Sequence, residues 1–286
     1  MSITSSAVLV EMNLSVWTAN KLDRKVTSEL LTANNAVAGA AQVRKNLMAG
    51  TTARKDIADY AAGCRLWHNT RTLPWADKGV RMLPTSLFME YKMEANKRRD
   101  TFNMMVTTFL KQYPQLVLIA NTYMQGLFDK DDYPSVDAIR ELFGFRLVFS
   151  PVPEAGDFRL DVPQKDLEEI KGDYEESFNT RLADAMKEPW NRLHKMLTGM
   201  SDKLEDSAGG EDAPKKRYHD SLITNADDMC ELLKHLNITN DPKLEQARKD
   251  LKASIAGVSV ETLKDSASAR DSLKRNVDAV LKQFEW

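Results

Sequence analysis

Two groups of sulfur and nitrogen ligands are the first residues whose types and spacing could do chemistry. Cys64 and His68 stand four apart, which on a helix would put them on one face as a thiolate–imidazole pair. Cys64, however, falls in the apolar run Ile57, Tyr60, Ala61, Cys64 and Trp67, where a cysteine usually serves as a small hydrophobe. His219, Cys230 and His235 form the second group, and they fall short of the four closely paired ligands that a zinc site wants. Asp129, Asp131 and Asp132 suggest calcium. An EF-hand loop counted from Asp129 would place Pro134 where glycine is required and Arg140 where a bidentate glutamate is required. The chain has neither a GxxxxGK(S/T) nor a GxGxxG loop to cradle phosphate. The expectation is a non-enzymatic protein with no cofactor and no metal.

Positive charge interleaved with aromatic residues gives a different chemistry. Residues 1–127 carry 16 Lys+Arg against 9 Asp+Glu, a balance of +7, and residues 128–286 carry 24 against 33, a balance of −9. Within the basic half lie Arg44, Lys45, Arg54, Lys55, Arg65, Arg71, Lys97 and Arg99, accompanied by Trp67, His68 and Trp75. A cationic track with stacking aromatics is how proteins hold single-stranded nucleic acid. The competing reading is internal charge compensation and solvated helix faces. Arg98 falls on the apolar stripe of its helix, which points to an internal carboxylate partner. At the C-terminus Phe284 and Trp286 flank Glu285, an aromatic and acidic tail that could enter a partner's pocket or pack on its own helices.

The elements that must position these residues are mostly helices. Thr52–Thr70 and the run from Leu87 to Tyr113 after a Thr85 cap show helical periodicity, as do Leu22–Leu47 and Gln115–Leu127, the last with Pro114 at its first position. Pro74 and Pro84 punctuate a connector between two of these. Strands are expected near 7–17, where Val8, Val10, Met12, Leu14 and Val16 alternate with the residues between them, and near 143–150 and 157–162. The last two would form a hairpin, FGFRLVFSPVPEAGDFRLDVP, and the first strand would complete a three-stranded antiparallel sheet, since a lone hairpin is marginal in water. The longest periodic segment starts after Pro163 and runs through Leu167, Ile170, Tyr174 and Phe178 to Leu204. It needs a partner along its length, either another helix or another subunit. The fold expected is α+β and mostly α: long amphipathic helices around the small sheet in a body over 1–204, a flexible linker over 205–217, and a C-terminal helical module over 218–286.

Two cysteines far apart suggest free thiols in a reducing compartment. No apolar run approaches a membrane span, and MSITSSAVLVEMN lacks the basic and apolar regions of a signal peptide.

From Tyr91 to Arg159 the chain resembles an uncharacterised family of tailed-phage proteins. The resemblance rests on Tyr91–Asn96, Phe102, FLKQYPQL at Phe109–Leu116, DYPS at Asp132–Ser135 and PVPEAGDFR at Pro151–Arg159. It covers the middle quarter of the chain. That family has no assigned activity or functional residues, and its genes are often found near those for a MoxR-like AAA+ ATPase and a von Willebrand factor A-domain protein. The resemblance implies a phage protein acting in the host cytoplasm, with an AAA+ ATPase as partner. The function expected is an oligomerising or adaptor protein. The alternatives are a nucleic-acid-binding protein of phage replication or recombination and a host-directed inhibitor.

Overall fold

A computed structural model describes residues 3–76, 79–153, 164–205 and 221–284. The chain runs α1 (Ile3–Ser6), β1 (Ala7–Ser15), β2 (Asn20–Leu22), α2 (Arg24–Ala33), β3 (Arg44–Asn46), α3 (Ala53–Arg71), β4 (Leu73–Pro74), β5 (Val80–Pro84) and α4 (Phe88–Met124). It continues with α5 (Val136–Arg140), β6 (Gly144–Pro151), α6 (Gln164–Leu204), α7 (Ser221–Leu236), α8 (Pro242–Ile255), α9 (Val260–Asp265) and α10 (Ala267–Gln283). The fold is α+β and mostly helical. Among the described residues no helix is long and apolar enough to cross a membrane.

The sheet corrects the three-stranded expectation. It has four strands in the order β4-β5-β1-β6, and β2 and β3 form a separate pair. β1 lies between β6, as the sequence suggested, and β5, which it did not suggest. β5 pairs antiparallel with β1 from Ala7 opposite Pro84 to Glu11 opposite Val80. The connector between the prolines is therefore a β-hairpin, with Leu73 opposite Met82. Pro74 and Pro84 close β4 and β5 at their ends, where a missing amide is tolerated. The second strand expected over 157–162 and the bulk of the linker lie outside the described residues.

Three helix expectations also change. The segment Leu22–Leu47 is helical only over α2, which Asp23 caps by accepting from Val26 N at 3.0 Å. Asn35 then adopts a left-handed φ of 49° that a helix cannot continue, and β3 follows. Thr85 opens a 3-10 turn instead of capping α4, and its hydroxyl donates to Ser5 O. Pro114 lies inside α4. An interior proline costs a helix roughly 3 kcal/mol, here offset by burial of Phe109, Leu110, Tyr113 and Leu116 on either side of it.

The chain forms two compact units, one of Met1–Glu11, Asn69–Met89 and Phe149–Trp286, the other of Met12–His68 and Glu90–Val148. This partition runs elsewhere than the body, linker and module read from composition. In the first unit the second half of α6 packs with α7, α8, α9 and α10 around Leu197, Cys230, Leu251, Leu263 and Val277, and a second cluster gathers Ala7, Leu73, Trp75 and Met82 with Ala185 and Leu236. The core of the second unit holds Trp17, Leu47, Ile57, Phe102, Phe109 and Ile139.

Candidate interaction surface

The sulfur and nitrogen groups are drawn into the packing. Cys64 and His68 are both buried on α3, and His68 Nδ1 lies 2.7 Å from the Tyr91 hydroxyl. Burial pushes the Cys64 thiol up and outweighs the opposing pull of the nearby Arg98 cation, and a thiol held protonated is a poor nucleophile. Cys230 donates to Arg248 O at 3.7 Å, and burial pushes it up to about 11. His235 Nδ1 lies 2.9 Å from Ser86 Oγ, while His219 is outside the described residues. Among the described residues no three His, Cys, Asp or Glu side chains gather as metal ligands. Asp129 accepts from Asp131 N as the cap of a short 3-10 turn. Burial works against the Asp132 carboxylate, but hydrogen bonds and charge from Lys45 and Lys21 outweigh it and hold its pKa below the usual range.

Most of the basic track is committed within the second unit. Lys45 pairs with Asp132 and, at 3.7 Å, with Asp23. Arg54 donates to Trp17 O and Thr18 O, Arg65 donates to Leu14 O, and Lys55 pairs with Asp59. Arg99 lies 4.0 Å from Asp100. Arg44 and Lys97 are exposed. Trp67 offers no face to a base: Tyr91 stacks on it with centroids 4.7 Å apart, and the Arg98 guanidinium lies 4.7 Å from its ring centre. Arg98 in turn meets Glu94 at 2.9 Å, the carboxylate partner its place on the stripe called for. Arg71 and Trp75 belong to the first unit. Trp75 is buried there, edge-on to Phe178.

The two halves of α6 differ in how far they are covered. Its second half is anchored: Ala185, Pro189, Leu193, Leu197, Met200, Ser201 and Leu204 are buried. Arg192 adds a polar fork, donating to Thr70 O at 2.6 Å and to Asn69 O and Thr72 O at 2.9 Å while its Nε reaches Glu188 at 2.8 Å. Arg81 reaches the same Thr72 and Asn69 carbonyls. The first half, residues 164–184, contains no buried side chain. Leu167, Ile170, Tyr174, Phe178 and Leu182 are only half-buried, and the other residues of that half are exposed apart from a half-buried Lys171.

No family model, curated protein or solved structure matches the chain. The surface must therefore be read from its own chemistry. The first half of α6 carries seven acidic and three basic residues, a balance of −4, and the second half carries two acidic and four basic, a balance of +2. Beside the second half runs a groove of about 330 Å³ between α6 and α7. Met196, Met200, Leu222 and Met229 line it together with Gly199, Lys195 and Lys203, and none of the described residues that line it is acidic. A larger, open crevice of about 870 Å³ lies where Trp75 faces Asp173, Glu176, Arg181 and Asp184, and Asp184 is already paired with Lys187 at 2.8 Å. Phe284 packs on Trp190, ring centres 5.7 Å apart, and Trp286 lies outside the described residues. Sequence reasoning passed over Lys195, Gly199 and Lys203. Their signal was present as a glycine midway between two lysines on a long helix.

Proposed function

We propose that the chain is a non-enzymatic oligomerising or adaptor protein whose contact surface is the first half of α6. The observation that carries this reading is that residues 164–184 bury no side chain fully while remaining helical. Such a segment is about 30 Å long. In globular proteins a helix gains most of its stability from packing an amphipathic face, and this one keeps an apolar stripe only half-covered. On the resemblance of its middle quarter to tailed-phage proteins, the chain is a phage product of the host cytoplasm, and its partner outside the chain is a MoxR-like AAA+ ATPase. Single-stranded nucleic-acid binding draws less support, because Lys45, Arg54, Lys55 and Arg65 are engaged within the fold and Trp67 and Trp75 are buried.

Hydrogen exchange tests the reading. Amides of 164–184 gain protection as the protein is concentrated or as the ATPase is added. Exchange in that segment that ignores both would end it.

A further inference from the structure

Two glycines interrupt α6, and neither is explained by packing among the described residues. A Cβ built at Gly172 or at Gly199 meets nothing within 4 Å, and glycine is the poorest helix former after proline. Each glycine sits midway between two like charges. Glu168, Gly172 and Glu176 follow one another at intervals of four, and so do Lys195, Gly199 and Lys203. Residues four apart lie on one helix face, so each trio forms a stripe with a gap at its centre, and the charges of each span about 12 Å. Glu168, Gly172 and Glu176 are exposed, as are Lys195 and Lys203. No ion pair engages any of these four charged side chains among the described residues.

The lysine stripe borders the methionine-lined groove against α7. Methionine side chains adapt to the shape laid on them, and the Gly199 gap lets a second backbone come close. We infer that this groove receives the Glu168–Gly172–Glu176 stripe of a second copy of the chain. Glycine then meets glycine at the crossing, each lysine meets a glutamate, and the glutamate stems lie over Met196 and Met200. This names the partner of the surface proposed above and rests on that reading. The two stripes are about seven and a half helical turns apart, which places them on opposite sides of α6. A contact between unlike patches on opposite sides does not close as a two-fold dimer. It propagates from copy to copy, head to tail.

Light scattering of the full chain across concentration and salt tests this, with circular dichroism to show that each variant folds. The wild type grows beyond a monomer and recedes as salt screens the charges. Lys195→Glu with Lys203→Glu weakens association by roughly tenfold or more, and so does Glu168→Lys with Glu176→Lys. The intact stripe of one variant fits the intact groove of the other, and the two reversed surfaces are complementary as well, so an equal mixture of the two assembles with the copies alternating. The chain carrying all four reversals assembles again. A monomeric wild type, either paired reversal that assembles like the wild type on its own, or a mixture that stays monomeric each overturn the inference. A monomer in which the ATPase still protects 164–184 overturns only the second-copy assignment. A monomer whose exchange the ATPase leaves unchanged overturns the adaptor reading as well.

Discussion

From Ala185 onward α6 turns a buried residue inward at almost every turn, and Arg192 ties it to the carbonyls of Asn69, Thr70 and Thr72. From Gln164 to Asp184 the same helix keeps its apolar period but buries nothing completely. The charge changes sign between the halves as well. Identical periodicity thus has two outcomes: in one half it builds a core, and in the other it leaves an apolar stripe half-covered.

The sharpest way to break this comparison is truncation at matched positions. Leu197→Ala, at a site with 0% exposure, should cost about 3 kcal/mol in urea unfolding, while Leu167→Ala should cost under about 1 kcal/mol. Equal costs would mean that the first half is as anchored as the second. Next in size is Arg192→Met, which takes a donor from three carbonyls and should cost about 2 kcal/mol. The matching change Arg181→Met, at an exposed position in the first half, should leave the urea midpoint nearly unchanged. Gly172→Ala should raise stability by about 0.5–1 kcal/mol in dilute solution, since alanine is the better helix former and nothing stands within 4 Å of the new methyl. A loss there would reveal a contact on the outward face of the first half.

The smallest effect is in acid. Burial opposes the Asp278 carboxylate, but bonds from Lys274 and from Ser201 at 2.5 Å, with the nearby positive charge, hold its pKa below the usual carboxylate range. The folded value lies below the unfolded one, so this contribution is present above the unfolded pKa of about 3.9 and is lost as pH falls through the folded value. Asp278→Asn should therefore narrow the difference in stability between pH 6 and pH 3. An unchanged difference would remove Asp278 from the account of how the second half of α6 is held against α10.

The long helices, β1 and β6 were legible because alternation and three-to-four spacing report directly which faces are apolar. β5 was not, since Val80–Pro84 is short and prolines at its flanks imitate a loop. Pro114 misled for the opposite reason: core packing around Phe109 and Tyr113 overrides a local preference that the sequence states clearly. The commitments of the basic track were not legible, because the partners of Lys45, Arg54 and Arg65 lie far along the chain, and spacing between neighbours says nothing about them. Periodicity along α6 showed a stripe without showing how far it is covered, since covering depends on what the rest of the chain brings to it.

The contacts of Trp67 with Arg98 and Tyr91 have an optical consequence. An indole 8% exposed, with a guanidinium on its ring and a phenol stacked against it, should emit at short wavelength and resist collisional quenching by acrylamide. Trp17 and Trp67 lie in the second unit, and Trp75 and Trp190 in the first. Replacing Trp286 together with one of these pairs by phenylalanine leaves the other pair's fluorescence to follow, so the melting of each unit can be watched separately without an added dye.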